Sequence, residues 1–337
     1  MARRIRRAAA SAVVLSILTL LAPVPGGSAQ AAGEAYVALG DSYSSGLGTG
    51  SYLDDGTDCR RSTYAYPSLV AAGASYELDF RACSGAVVAD VLDLQLGALS
   101  SSTSYVTVSV GGNDAGFADV LTECALPAWA SDCDAAIDTA QAVVAETLPT
   151  SLDGLYAEIA GRAPAATVVA VGYPRIFMGE DCDAMTWFSP EEQDRLNQTA
   201  DQLNATIEEI AAAHGFSFAD PTSAFLGHAV CDEPAWVNGL SSPVEESYHP
   251  NAAGHRDGYT PVVGPALTGG ETTVDHGVLA TAGDVADDLA AQQRQYAHLD
   301  RTIERRDFQA PDLNSPEVRQ AAREHGIDID RWLASQR

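Results

Sequence analysis

Five short apolar runs, most of them stopped by glycine, constrain this chain more than any other feature of its sequence. Residues 35–39 (AYVAL) end at Gly40-Asp41, and 105–110 (YVTVSV) end at Gly111-Gly112. Residues 167–171 (TVVAV) end at Gly172-Tyr173-Pro174. Residues 76–82 alternate before Ser84-Gly85, and 216–219 form a fifth run. Runs of this length and apolarity read as buried strands. Helical patterns separate them, at 64–72, at 86–99 and at 134–160 with a break near Pro149. Ser189-Pro190-Glu191-Glu192 is a strong helix start, with serine as N-cap, proline at the first helical position and acids in the first turn. That helix can run to a glycine stop at His214-Gly215. Strands alternating with helices predict an α/β fold, a parallel sheet covered on both faces. Ligands of such sheets bind beyond the carboxyl ends of the strands, so the residues just after each run are where chemistry is expected.

The flanks differ from this pattern. Arg3, Arg4, Arg6 and Arg7 precede an apolar run at 8–22, then Pro23, Pro25, Gly26 and Gly27. With Ala29-Gln30-Ala31 as a small-x-small site, residues 1–31 read as a signal peptide cut after Ala31, with a poor match to the twin-arginine consensus. No other segment is long and apolar enough to span a bilayer, so a secreted, extracellular protein is expected. Residues 32–268 carry the strand–helix pattern and are read as the catalytic domain. Residues 269–337 are polar and form a C-terminal, helical extension, with helix at 274–300, a loop at 309–316 and a last helix from Ser315-Pro316-Glu317 to Arg323. The extension carries no obvious chemistry.

The formal charge is −27, and all 19 basic residues are arginine. Loss of the leader's four arginines makes it −31, concentrated in 32–268. Such a surface excludes most nucleic-acid partners, and the absence of lysine excludes Schiff-base or lysine-base chemistry. Six cysteines, at 59, 83, 124, 133, 182 and 231, read in a secreted chain as disulfides. Neither a C-x-x-C nor an H-E-x-x-H is present, and no metal or organic cofactor is expected.

Three strand ends and one late loop hold the candidate residues. Ser42 in Gly40-Asp41-Ser42-Tyr43-Ser44 is either a helix N-cap or an exposed hydroxyl beside its own N–H. Asn113 in Gly111-Gly112-Asn113-Asp114 is either a turn residue or a neutral donor suited to an oxyanion. Gly85 offers a backbone N–H with no side chain in the way. His249, in Tyr248-His249-Pro250-Asn251, has Glu246 three residues before it, and a carboxylate can orient an imidazole. His255 has the wrong spacing for a helical metal pair and is read as structural or exposed. Gly46-Leu47-Gly48-Thr49-Gly50 fails the phosphate-loop patterns and is read as a flexible cleft lip.

Taken in order, GDSYS at 40–44, Gly85, GGND at 111–114 and YHPN at 248–251 resemble the SGNH, or GDSL-type, hydrolases over residues 35–268, most closely their secreted actinobacterial lipase/esterase branch. The resemblance implies a three-layer α/β/α sandwich on a five-stranded parallel sheet, the flavodoxin-like SGNH hydrolase fold. It implies Ser42 as nucleophile, His249 as general base, and Ser42, Gly85 and Asn113 as the oxyanion hole. It also implies sequential disulfides, Cys59–Cys83, Cys124–Cys133 and Cys182–Cys231. Many members carry aspartate where Glu246 stands. Glu246 is the expected orienting carboxylate, a backbone carbonyl the alternative. Asp41 and Asp114 are read as hydrogen bonders that fix loops. The implied activity is that of a monomeric serine esterase or lipase acting on small-molecule or lipid acyl esters. A phospholipase A or a carbohydrate deacetylase with the same machinery is the alternative, and a non-catalytic extracellular binding module the remote one. Nearby carboxylates are expected to raise the pKa of His249, giving an optimum on the alkaline side.

Overall fold

The strands form where the apolar runs predict them. The computed structural model describes residues 33–335, so the leader expected at 1–31 and its cleavage site lie outside the described residues. The strands are β1 (Ala35–Gly40), β2 (Glu77–Phe80), β3 (Tyr105–Ser109), β4 (Thr167–Val171) and β5 (Ser217–Ala219). They make one parallel sheet in the order β2-β1-β3-β4-β5. In β1, β3 and β4 every residue after the first is buried, which is why they read as continuous apolar runs. The edge strand β2 buries only Phe80 fully, and its sequence alternates accordingly. The one polar side chain midway along β3, Thr107, is satisfied by the Tyr36 hydroxyl at 2.8 Å.

Helices cover both faces. Tyr66–Ala74, Thr260–Thr268 and His276–Asp284 pack together on one side, and Cys133–Glu146, Leu148–Arg162 and Pro190–Ala213 on the other. The result is the three-layer α/β/α sandwich. Pro190–Ala213 starts with the expected cap: the Ser189 hydroxyl accepts from Glu192 N, and Glu192 accepts from Ser189 N. The break near Pro149 separates the two helices before it, proline standing in the first turn of Leu148–Arg162. From β1 the chain runs out to β2 and returns across β1 to β3, so the winding reverses between β1 and β3. A cleft opens at that reversal, beyond the carboxyl ends of the two strands.

The three expected disulfides are formed: Cys59–Cys83, Cys124–Cys133 and Cys182–Cys231. Several elements differ from expectation, among them the helices Phe117–Cys124 and Thr260–Thr268, which were not expected. Residues 88–98 are not one regular helix but a turn of α-helix, a π-helix Val91–Gln95 and a 3-10 turn. The wide turn delivers Gln95 to the end of β1, where its amide donates to Gly40 O at 2.9 Å and accepts from Gly40 N at 2.8 Å. Beyond the helix Pro316–Glu324 a further helix, Ile329–Ser335, was not expected; its Trp332 meets Trp129 and Trp187.

The C-terminal extension packs on the core through buried charge. Asp300 accepts from Arg61 at 2.7 Å and Arg81 at 3.1 Å, all three side chains being at most 1% exposed. Arg61 also reaches Asp55 at 2.7 Å, and Arg81 lies over the Tyr296 ring.

Candidate active site

The geometry after β1 decides what Ser42 is free to do. Gly40 has φ +127°, and a Cβ there would lie 2.3 Å from Ser109 O, so the turn requires glycine. Asp41 then caps the short helix Ser42–Ser45: its carboxylate accepts from Tyr43 N at 3.0 Å and from the Tyr173 hydroxyl at 2.6 Å. The N-cap is therefore Asp41, and the Ser42 hydroxyl is not used as one. Asp41 has the loop-fixing role expected of it, and burial pushes its carboxyl up to about 7. Asp114 likewise fixes a loop, accepting from Val88 N.

His249 Nε2 lies 2.9 Å from Ser42 Oγ. Its Nδ1 lies 2.9 Å from the carbonyl oxygen of Ser247. A carbonyl only accepts, so Nδ1 carries the ring proton and Nε2 presents its lone pair to the serine hydroxyl. The Tyr43 hydroxyl donates to Tyr248 O at 2.8 Å, tying the serine turn to the histidine loop. Tyr43 and Tyr173 had no signal in the sequence beyond their neighbours.

The expectation for Glu246 is corrected. Residues Val244–Glu246 form a 3-10 turn, and the Glu246 carboxylate accepts from the Tyr52 hydroxyl instead of the imidazole. The backbone carbonyl of Ser247 is the group on Nδ1. The expected rise in the His249 pKa is corrected too. Burial pushes the imidazole down to about 4, outweighing the upward pull of the Ser247 carbonyl and the Asp307 charge.

Gly85 follows β2 with φ +85°, and Cys59 O accepts from Ser84 N at 3.0 Å beside the Cys59–Cys83 bridge. Among the described residues no protein acceptor takes the N–H of Ser42 or of Gly85. Asn113 lines the cleft, and its Nδ2 donates to Ala86 O at 3.0 Å, which joins the loops after β2 and β3. The lip at 46–50 is less free than expected: Gly46 and Gly48 are buried, Gly48 is close against His249, and Asn238 donates to Gly48 O at 2.9 Å. His255 is structural. It is fully buried against Tyr66 and Tyr259, and its Nδ1 accepts from Tyr66 N.

An apolar pocket runs from Ser42, Asn113 and His249 to Leu121, Val144 and Leu203, between the helices Phe117–Cys124, Cys133–Glu146 and Pro190–Ala213. Two residues of the extension, Arg306 and Phe308, line its mouth or wall.

Residues 38–256 match the GDSL-like lipase/acylhydrolase family. The chain belongs to this family. Among curated relatives of this GDSL hydrolase, Lipase 1 of Streptomyces coelicolor is 48% identical over 70% of this chain and 88% of its own length. Among solved structures, the extracellular lipase of Streptomyces rimosus is 46% identical, with a TM-score of 0.65 over 68% of this chain and 98% of that one. Phospholipase A1 of Streptomyces albidoflavus is 48% identical, with the same TM-score over 69% and 98%. This GDSL hydrolase is thus a carboxylic ester hydrolase of the lipase/esterase type, with the family's α/β fold. Among its described residues no helix is long and apolar enough to cross a membrane.

Proposed function

We propose that the protein is a secreted serine esterase or lipase that works through a Ser42–His249 dyad. The observation that carries the reading is the pair of bonds on one imidazole, Nε2 to Ser42 Oγ and Nδ1 to Ser247 O. The ring is in the tautomer a general base needs, and its depressed pKa keeps it neutral. As Oγ attacks the ester carbonyl, Nε2 takes the hydroxyl proton. The oxyanion is received by the N–H groups of Ser42 and Gly85 and by Asn113 Nδ2. The imidazolium, still held by Ser247 O, returns the proton to the leaving alkoxide. Water then attacks the acyl-enzyme, with His249 again as base, and the acid departs.

The apolar pocket next to Ser42 supports an acyl chain longer than acetyl, which weighs against a carbohydrate deacetylase. The phospholipase A reading stays beside the lipase one because a phospholipase A1 is among the solved structures similar to this chain, at 48% identity. The leader pattern, the three disulfides and the extracellular lipase relative support secretion. A fluorophosphonate should label Ser42 in the wild type and not in Ser42→Ala; labelling elsewhere, or none, overturns the serine mechanism and favours a binding module. Initial rates on triacylglycerol, phospholipid and acetylated xylan, measured side by side, separate the substrate classes.

A further inference from the structure

The chain beyond Asp300 crosses the cleft as a strap fixed at both ends. At one end Asp300 is buried between Arg61 and Arg81. At the other, Gln309 N donates to Thr122 Oγ1 at 2.9 Å, on the helix Phe117–Cys124 that walls the apolar pocket. Between these anchors the strap touches the parts of the site named above. The Glu304 carbonyl lies so close to Gly85 that a Cβ on that glycine would sit 2.3 Å from its oxygen. Arg306 Nη1 donates to Gly85 O at 2.6 Å. The Phe308 ring is 2% exposed, meets Tyr248 edge-on at 4.9 Å and lines the pocket that holds Ser42.

These contacts are more than a surface appendage requires. The other partners of Arg306 are longer or more exposed: the Glu304 carbonyl at 3.3 Å, the Glu304 carboxylate, 78% exposed, at 3.2 Å, and Asp90 at 3.8 Å, and solvent screens such ion pairs. The bond to the buried Gly85 carbonyl is the shortest of these. A glycine at φ +85° has no side chain to hold its peptide planes, and the bond to its carbonyl limits its ψ rotation. Arg306 also lines the pocket that holds Ser42.

We propose that residues 304–308 of the C-terminal extension are part of the catalytic cleft, with Arg306 a positioning residue for the Gly85 oxyanion donor and Phe308 a specificity-determining wall of the acyl pocket. The proposal rests on the serine-hydrolase reading above. The strap lies beyond residue 256, where the family match ends, so this part of the cleft comes from outside the segment that defines the family.

The test uses the full chain and p-nitrophenyl esters from acetate to laurate, comparing wild type with Arg306→Ala, Arg306→Lys, Phe308→Ala and Phe308→Leu. With Arg306→Ala, kcat should fall about tenfold for every ester while KM stays within about twofold, the split of a group acting in the transition state. Arg306→Lys, or millimolar guanidinium added to Arg306→Ala, should restore part of kcat. Phe308→Ala should raise the laurate-to-butyrate ratio of kcat/KM by about fivefold, a change of size for one pocket contact, with Phe308→Leu between. A lowered Tm with wild-type kcat and chain-length profile in the soluble variants would overturn the proposal and leave the strap a stabilising element. Ser42→Ala runs alongside: activity surviving there sinks the serine reading itself, whatever the strap variants do.

Discussion

The family-matched core and the C-terminal extension put residues into the same cleft by opposite means. In the core, three of the four site residues follow a strand, Ser42 after β1, Gly85 after β2 and Asn113 after β3, and His249 stands on a late loop tied to the serine turn by Tyr43. A buried strand has little freedom, and a glycine turn at its end aims the next residue the same way wherever that pattern occurs. The extension has no strand near the cleft. Arg306 and Phe308 arrive on irregular chain, held by a buried ion pair some residues before and a single side-chain bond after. Where the core relies on secondary structure for placement, the extension relies on long-range contacts.

The contrast can be tested from its strongest point downward. Ser42→Ala should lower kcat by at least about 10⁴-fold, the scale for removing a nucleophile from a serine site. Asn113→Ala should cost about 10²–10³ in kcat, as for other lost oxyanion donors; a loss under tenfold would mean its second N–H does not reach the oxyanion. For the extension, Asp300→Ala leaves two buried guanidinium groups facing each other without their shared carboxylate. It should destabilise the fold by about 3–5 kcal/mol in urea titration. An effect near 0.5 kcal/mol would say that the extension is not clasped to the core.

Two smaller effects separate the histidine from its surroundings. An imidazole with a pKa near 4 is neutral above that value, so kcat/KM should stay flat down through pH 6 and fall only as pH approaches about 4. An acid limb above pH 6 would restore the carboxylate-raised histidine. Smallest of all, Glu246→Gln should change kcat less than about twofold, since its carboxylate serves Tyr52 and not His249; only an interaction made in the transition state would appear in kcat.

These differences track what was legible in the sequence. The buried strands could be read to within a residue or two because parallel strands covered on both faces must be apolar throughout. The second strand was overlong in the reading because an edge position relaxes that demand. Ser42, Gly85, Asn113 and His249 could be named as candidates because their four motifs, taken in order, resemble those of the SGNH hydrolases; each residue alone left a cap, turn or surface reading open. The Ser247 carbonyl could not, since a main-chain oxygen leaves no trace in residue identity. Glu246 was misread for a related reason: three-residue spacing measures reach, but a 3-10 turn decides direction. Gln95, Tyr43 and Tyr173 were hidden because their roles depend on which distant backbone atoms they meet. The extension's Arg306 and Phe308 were hidden most completely, having neither a strand nor a glycine to announce them.

The serine and the imidazole that share a hydrogen bond stand 207 positions apart along the chain. During synthesis the amino-terminal residue comes first, and its hydroxyl is an ordinary alcohol until the imidazole follows. Nothing local can activate it early, because the bond needs the intervening sheet to be assembled. Under the proposed Ser42–His249 mechanism, ester hydrolysis by this protein is a property of the folded chain with both residues in place. Its onset during refolding or export gives a clock for the last long-range closure, one that a helix-sensitive signal would miss.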